Sequence, residues 1–107
     1  MKKILLILTG AVLLTLPAVA GDKAAPNEVK IDNFSFLPQT LTVRAGTTVT
    51  WVNRDDVPHT VVSTDKKTIV SPALDTDEKF SFTFTTPGTN DYYCSVHPHM
   101  KGKVIVQ

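Results

Sequence analysis

The sequence predicts an all-β protein, an antiparallel β-sandwich of about seven to eight short strands. Runs rich in β-branched and aromatic residues alternate with polar positions, and glycine, proline and aspartate separate the runs at regular intervals. No window of a dozen residues carries a helical apolar period, so at most one short helical turn is expected, within residues 71–77.

The first twenty residues are predicted to be a cleaved export signal. Lys2 and Lys3 precede an apolar run over residues 4–16, and Ala18-Val19-Ala20 forms a small-x-small cleavage pattern. The run is shorter than the roughly 20 apolar residues that a membrane span needs, so a permanent anchor is disfavoured. The sequence therefore predicts cleavage after Ala20 and a bacterial, periplasmic protein.

The rest of the chain divides into a flexible polar lead-in, residues 21–27, and a single domain, residues 28–107. Its strand runs, in order, begin with the alternating pairs Val29/Ile31 and Leu41/Val43, continue with "TTVTWVN" and "KFSFTFTT", and end with "KVIV". Phe80, Phe82 and Phe84 share one face and are predicted to face the core with Trp51. Turns are predicted at Ala45-Gly46, Asp55-Asp56 with Pro58, Pro87-Gly88 and Gly102.

Charge and cysteine content exclude several classes of protein. Without the two signal lysines, nine basic side chains stand against ten acidic ones, and no basic stripe is present. Nucleic acid and anionic membranes are therefore not expected as partners, and a monomer is expected. The single cysteine, Cys94, cannot form an intrachain disulfide, so in an oxidising compartment it needs protection by burial, a partner or a metal.

A cluster of soft ligands near the C-terminus indicates a metal site. Cys94, His97 and Met100 follow the pattern C-x₂-H-x₂-M, and His59 lies upstream in "DDVPHTVV". One thiolate and two imidazoles with a weak axial thioether form the ligand set of copper electron-transfer sites. Taken singly, each residue has a plain structural interpretation: a buried cysteine, a gap-filling methionine or a surface-loop histidine. It is the combination that favours copper.

Three rival chemistries fit these residues less well. A c-type haem needs a second cysteine. Structural zinc prefers four cysteine and histidine ligands, and methionine is a poor fourth. A Cys94 nucleophile with a histidine base lacks a visible orienting residue and an oxyanion-binding turn.

Against this background, "PHTVVS" and "YYCSVHPHMKGKVIV" resemble the cupredoxins, the small blue copper proteins, and are most similar to the amicyanin-like, plastocyanin-related branch. The resemblance extends from "VKIDNFSFLPQTLTVRAGTTVTWVNRDD" to the end of the chain. It implies Greek-key connections and a copper ion at one end of the sandwich. It further implies His59, Cys94 and His97 as equatorial ligands and Met100 as the axial ligand.

Three positions differ from what is common in such relatives. Thr60 stands where an asparagine often ties the two ligand loops together, Asn90 replaces an aromatic residue, and His99 replaces an apolar aromatic one. His97 is preferred to His99 as the ligand, because His99 and Met100 are adjacent and cannot easily face one ion. His99 is predicted to be an exposed loop residue near the site.

The predicted function is a periplasmic one-electron carrier that docks transiently with a redox donor and acceptor. It is not predicted to be an enzyme, because four protein ligands leave no open position for a substrate. The alternative is a copper storage or delivery protein, which would be expected to carry methionine- or histidine-rich tracts. Only Met100 remains after the signal, so the carrier is favoured.

Overall fold

A computed structural model describes residues 26–107, and the predicted signal and most of the lead-in lie outside these described residues. Eight strands follow one another in this part of the chain: β1 (Glu28–Asp32), β2 (Ser35–Leu37), β3 (Thr40–Val43), β4 (Thr47–Asn53), β5 (Val62–Ser63), β6 (Lys79–Phe84), β7 (Gly88–Tyr93) and β8 (Lys101–Val106). Over these residues no helix is present, and so none is long and apolar enough to span a membrane.

The strands form two four-stranded sheets, which confirms the predicted all-β sandwich. One sheet has the order β2-β1-β4-β6 and the other the order β3-β8-β7-β5. Four pairs are antiparallel, but β1 pairs with β4 in parallel and β3 pairs with β8 in parallel. The sheets are therefore mixed rather than purely antiparallel. Alternation fixes which side chains face the core, but it carries no information about the direction of the neighbouring strand.

Aromatic side chains fill the space between the sheets. Trp51 is fully buried, and the Tyr92 ring lies edge-on to it with centroids 5.4 Å apart. Phe84 is buried, whereas Phe80 and Phe82 are partly buried and pack against the core, as the alternation in β6 predicts. Edge-to-face aromatic pairs contribute about 0.5–1.5 kcal/mol each beyond the area that they bury.

Gly102 lies inside β8 and not in a turn, so the turn predicted there is wrong. It stands directly opposite Tyr92 in the β7–β8 ladder. A Cβ atom at this position would overlap the Cζ and hydroxyl oxygen of the Tyr92 ring. Glycine is present because the buried ring crosses close to the backbone of the neighbouring strand.

Replacing Gly102 by alanine is therefore expected to destabilise the fold by about 1–3 kcal/mol, the usual cost of overpacking a core. The Tyr92 ring cannot move away cheaply, because it is buried against Trp51 and Phe36. Urea unfolding should show a lower midpoint with an unchanged slope. In a Tyr92→Leu background the ring is absent and the same substitution should cost much less; an equal cost in both backgrounds would contradict the explanation.

Residues 71–77 do not form the short helical turn allowed by the sequence. They run in extended and turn conformations, and Leu74 forms an antiparallel bridge with His59. Two backbone hydrogen bonds make this bridge: His59 N donates to Leu74 O at 3.1 Å, and Leu74 N donates to His59 O at 2.7 Å. The segment thus holds the backbone of His59 in place.

Candidate metal centre

The segment after β4 that carries His59 is organised by the side chain of Asn53. The Asn53 amide nitrogen donates to Val57 O at 2.9 Å and to Leu74 O at 2.8 Å, while its amide oxygen accepts from Asp55 N at 2.9 Å. Because Asn53 is fully buried, these bonds satisfy its amide where water cannot. The Asn53 side chain therefore fixes the backbone at Val57, just before His59, and at Leu74, which forms the bridge with His59.

Cys94, His97 and Met100 lie in the loop between β7 and β8. Tyr93 is paired with Lys101, so Cys94 and Met100 are the first residues beyond the ladder and lie opposite each other. Cys94 N donates to Met100 O at 3.1 Å, His97 N to Cys94 O at 3.2 Å, and Met100 N to His97 O at 2.9 Å. These bonds close the loop into a compact turn that returns each predicted ligand to the same end of the sandwich.

The structure brings His59, Cys94 and His97 together, although 35 residues separate the first two. Cys94 Sγ lies 3.8 Å from His59 Nδ1 and 3.7 Å from His97 Nδ1, and the three ligand atoms all lie within 4.8 Å of one another. Cys94 and His59 are fully buried, whereas His97 is half-buried. Met100, at the end of the same loop, is also buried.

The two sulfur–nitrogen distances fit a metal ion that binds Cys94 and both histidines. Metal–nitrogen and metal–sulfur bonds of about 2.0–2.3 Å place ligands at 120° roughly 3.5–3.9 Å apart. Both sulfur–nitrogen distances fall in this range. A buried cysteine with two imidazoles, and a buried methionine in the same loop, suits copper better than zinc or magnesium.

Asp55 determines which nitrogen of His59 is free to bind a metal. Burial alone would raise the pKa of the Asp55 carboxyl, but hydrogen bonds from Phe34 N, His59 and Asn33 N together hold this pKa below its usual value. The carboxylate is therefore ionised at neutral pH and can only accept hydrogen bonds. His59 Nε2, 2.8 Å from Asp55 Oδ2, donates to this carboxylate, and Nδ1 is the ring nitrogen that faces Cys94 Sγ, where it could bind a metal.

Thr60 joins the two ligand-bearing segments through its hydroxyl. Thr60 Oγ1 accepts from Ser95 N at 2.8 Å, lies 2.8 Å from Ser95 Oγ and can donate to Cys94 Sγ at 3.8 Å. Thr60 N also donates to Cys94 Sγ, at 3.4 Å. The Thr60 hydroxyl thus links the two ligand-bearing loops.

Replacing Thr60 by valine is expected to destabilise the protein by about 1–2 kcal/mol, the cost of removing one partner from buried hydrogen bonds. It should also lower the reduction potential of the copper-loaded protein, because one donor to the thiolate sulfur is lost and sulfur hydrogen bonding tunes such sites. Unfolding curves and voltammetry measure the two effects. Ser95→Ala is the matched control: it removes the other hydroxyl but leaves both donors to Cys94, so an equal fall in its potential would contradict this assignment.

Two contacting residues at the site were not predicted from the sequence. Asp55 was assigned only to a turn, and Phe34 was assigned no role, yet the Phe34 ring lies edge-on to His59 at 5.2 Å and to His97 at 5.0 Å. An acidic residue four positions before a ligand histidine is the signal that could have indicated Asp55. His99 is exposed, as predicted, and lines a groove beside the site with Phe34 and Met100.

Comparisons with known proteins show the family of this chain. A family model described as copper binding proteins of the plastocyanin/azurin family matches residues 24–107. Amicyanin-alpha of Methylorubrum extorquens is 38% identical over 96 residues, covering 86% of this chain and 81% of the relative. Plastocyanin of Scenedesmus fuscus is 38% identical over 85 residues, covering 67% of this chain and 86% of the relative. A solved Cu(I) form of an amicyanin variant superposes with a TM-score of 0.71 at 35% identity, covering 85% of this chain and 91% of that one.

The two mixed sheets and the thiol–imidazole cluster at one end define a copper protein of the cupredoxin class. The chain belongs to the plastocyanin/azurin family of copper-binding proteins, and its resemblance to the amicyanin-like branch is confirmed. Its cofactor is one copper ion.

Proposed function

We propose that this protein is a periplasmic one-electron carrier with a mononuclear type 1 copper centre. His59, Cys94 and His97 are the proposed equatorial ligands, and Met100 is the proposed axial ligand. The observation that carries the proposal is the placement of one thiol sulfur within 3.8 Å of two imidazole nitrogens in a buried pocket. When bound there, copper supplies the Cu(I)/Cu(II) couple.

The chain's own residues hold the proposed ligands in place. Asp55 fixes the His59 ring, Thr60 fixes Cys94, and the backbone bonds of the loop fix His97 and Met100. A rigid ligand set reduces the rearrangement that accompanies electron transfer. Four protein ligands would also leave no position for a substrate, which supports a carrier rather than an enzyme.

The surface near His97 supports transient docking. Large apolar side chains are exposed at this end: Phe34 (48% exposed) contacts the His97 ring, Val96 (54% exposed) precedes it, and Leu37 lines the groove that holds His99. An exposed apolar patch on a small protein marks an interaction surface. The partly exposed His97 ring lies within the patch, where an electron could leave towards a redox protein that covers it.

The periplasmic location rests on the predicted signal over residues 1–20, and the amicyanin relatives support it. We also propose a monomer, without a membrane anchor once the signal is cleaved. Copper storage or delivery is the second candidate function, but Met100 is the sole methionine outside the signal, so no methionine-rich tract supplies extra Cu(I) sites.

Redox cycling with a competing Cu(I) chelator tests the proposal. The copper-loaded protein should pass through many cycles of reduction and oxidation with its metal retained and its spectrum unchanged. Electron self-exchange measured by NMR line broadening should be fast. Ready loss of Cu(I) to the chelator during cycling would instead favour the storage or delivery function.

A further inference from the structure

The turn between β1 and β2 is held in an unusual conformation beside the metal centre. Asn33 and Phe34 both have positive φ angles, 53° and 57°. Such two-residue turns favour asparagine and glycine, whereas a bulky aromatic residue in the left-handed region is strained. Strain of this kind persists where the surrounding structure enforces it and often accompanies a functional role.

Asp55 enforces the conformation of this turn. Its Oδ1 accepts from Asn33 N at 2.6 Å, and its Oδ2 accepts from Phe34 N at 2.9 Å. The same Oδ2 also accepts from His59 Nε2 at 2.8 Å. One buried carboxylate therefore couples the position of the Phe34 backbone to the position of a proposed copper ligand.

The result of this coupling is a cluster of three rings. The Phe34 ring meets His59 at 87° and His97 at 89°, with centroids 5.2 Å and 5.0 Å away, and the two histidine rings are 4.9 Å apart. His97 is only half-buried, so its ring would otherwise be free to rotate towards solvent. The Phe34 ring packs against both imidazoles in T-shaped contacts, which limits this rotation.

We infer that Phe34 is a positioning residue of the copper centre, held by Asp55 so that its ring restrains the His59 and His97 imidazoles and limits copper loss. The inference rests on the proposed function, because it assumes that these histidines bind copper. A glycine would adopt the positive φ of this turn without strain, but it would provide no ring. The strained backbone of Phe34 is therefore explained by the contacts of its ring with His59 and His97.

Three substitutions at position 34 separate the effect of the aromatic ring from the effect of the strained backbone. Phe34→Leu keeps an apolar side chain without the ring, Phe34→Gly relieves the turn and removes the side chain, and Phe34→Tyr keeps the ring. Val70→Ala is the matched control, since it truncates a similarly exposed apolar side chain that does not line the groove beside Phe34 and Met100. Unfolding of each apoprotein shows whether the fold itself has changed.

Two readouts are used, one of them independent of copper. NMR relaxation of labelled histidine rings in the apoprotein should show His97 more mobile in Phe34→Leu and Phe34→Gly than in the wild type. Transfer of Cu(I) to a colorimetric chelator should be at least tenfold faster in the same two variants. Phe34→Tyr and Val70→Ala should stay within twofold of the wild type, and the Phe34→Gly apoprotein should unfold no more easily than the wild type.

If the His97 ring is as rigid in the Phe34→Leu and Phe34→Gly apoproteins as in the wild type, the inference is overturned, whether or not copper binds. Increased ring mobility with an unchanged Cu(I) transfer rate would also overturn it, because the restraint would then have no role at the metal. Failure of the proposed function looks different: the wild-type protein would form no blue centre, while the ring mobility of the apoprotein could still depend on Phe34.

Discussion

Replacing Cys94 by serine is expected to abolish the intense visible absorption of the Cu(II) protein. The colour of such a centre arises from charge transfer between the thiolate sulfur and copper, and no other thiol is present in the chain. A neutral hydroxyl is a much poorer ligand for Cu(I) and Cu(II) than a thiolate. Visible absorption and EPR spectra of copper-loaded wild-type and variant proteins provide the measurement.

The fold should survive this change. A hydroxyl at the fully buried position of Cys94 costs about 1–3 kcal/mol if it is left unsatisfied, but Thr60 N already points at this atom and can donate to it. Dispersed amide signals in the NMR spectrum of the variant would verify that only the site is lost. A colourless oxidised wild-type protein, or an intense band that persists in the variant, would contradict the assignment of Cys94.

Copper is expected to raise the melting temperature strongly. The three ligand atoms are brought together only in the folded chain, so the metal binds the native state in preference to the unfolded one. At free copper about a thousandfold above the dissociation constant, the stabilisation is about 4 kcal/mol. For a domain of this size this corresponds to a rise on the order of 15–30 °C.

The apoprotein should nevertheless fold, because the core around Trp51, Tyr92 and Phe84 contains no proposed metal ligand other than Cys94 and Met100. Calorimetry of apoprotein and Cu(I)-loaded protein under anaerobic conditions measures the difference and avoids oxidation of the thiol. Cys94→Ser should show little rise under the same conditions. An apoprotein without dispersed NMR signals, or a melting temperature that copper leaves unchanged, would contradict the prediction.

The positions of two strands could be predicted because their signals are local. The run "TTVTWVN" coincides with β4 (Thr47–Asn53), and the run "KFSFTFTT" contains β6 (Lys79–Phe84) and extends two residues beyond it, since alternation and β-branched residues act over two or three positions. The loop from Cys94 to Met100 could be predicted for the same reason. Its spacing alone indicates that the ligand residues can turn towards one point.

The tertiary structure decided the features that depend on distant partners. The parallel pairing of β1 with β4, the place of Gly102 opposite Tyr92 and the burial of Asp55 each depend on residues from another part of the chain. The role of Phe34 has no local signal in the sequence. Its ring contacts His97 from a turn whose backbone is held by Asp55, 21 positions further along the chain. A sequence pattern specifies which face of a strand is apolar, whereas the contact that gives a side chain its function is fixed only when the two sheets pack.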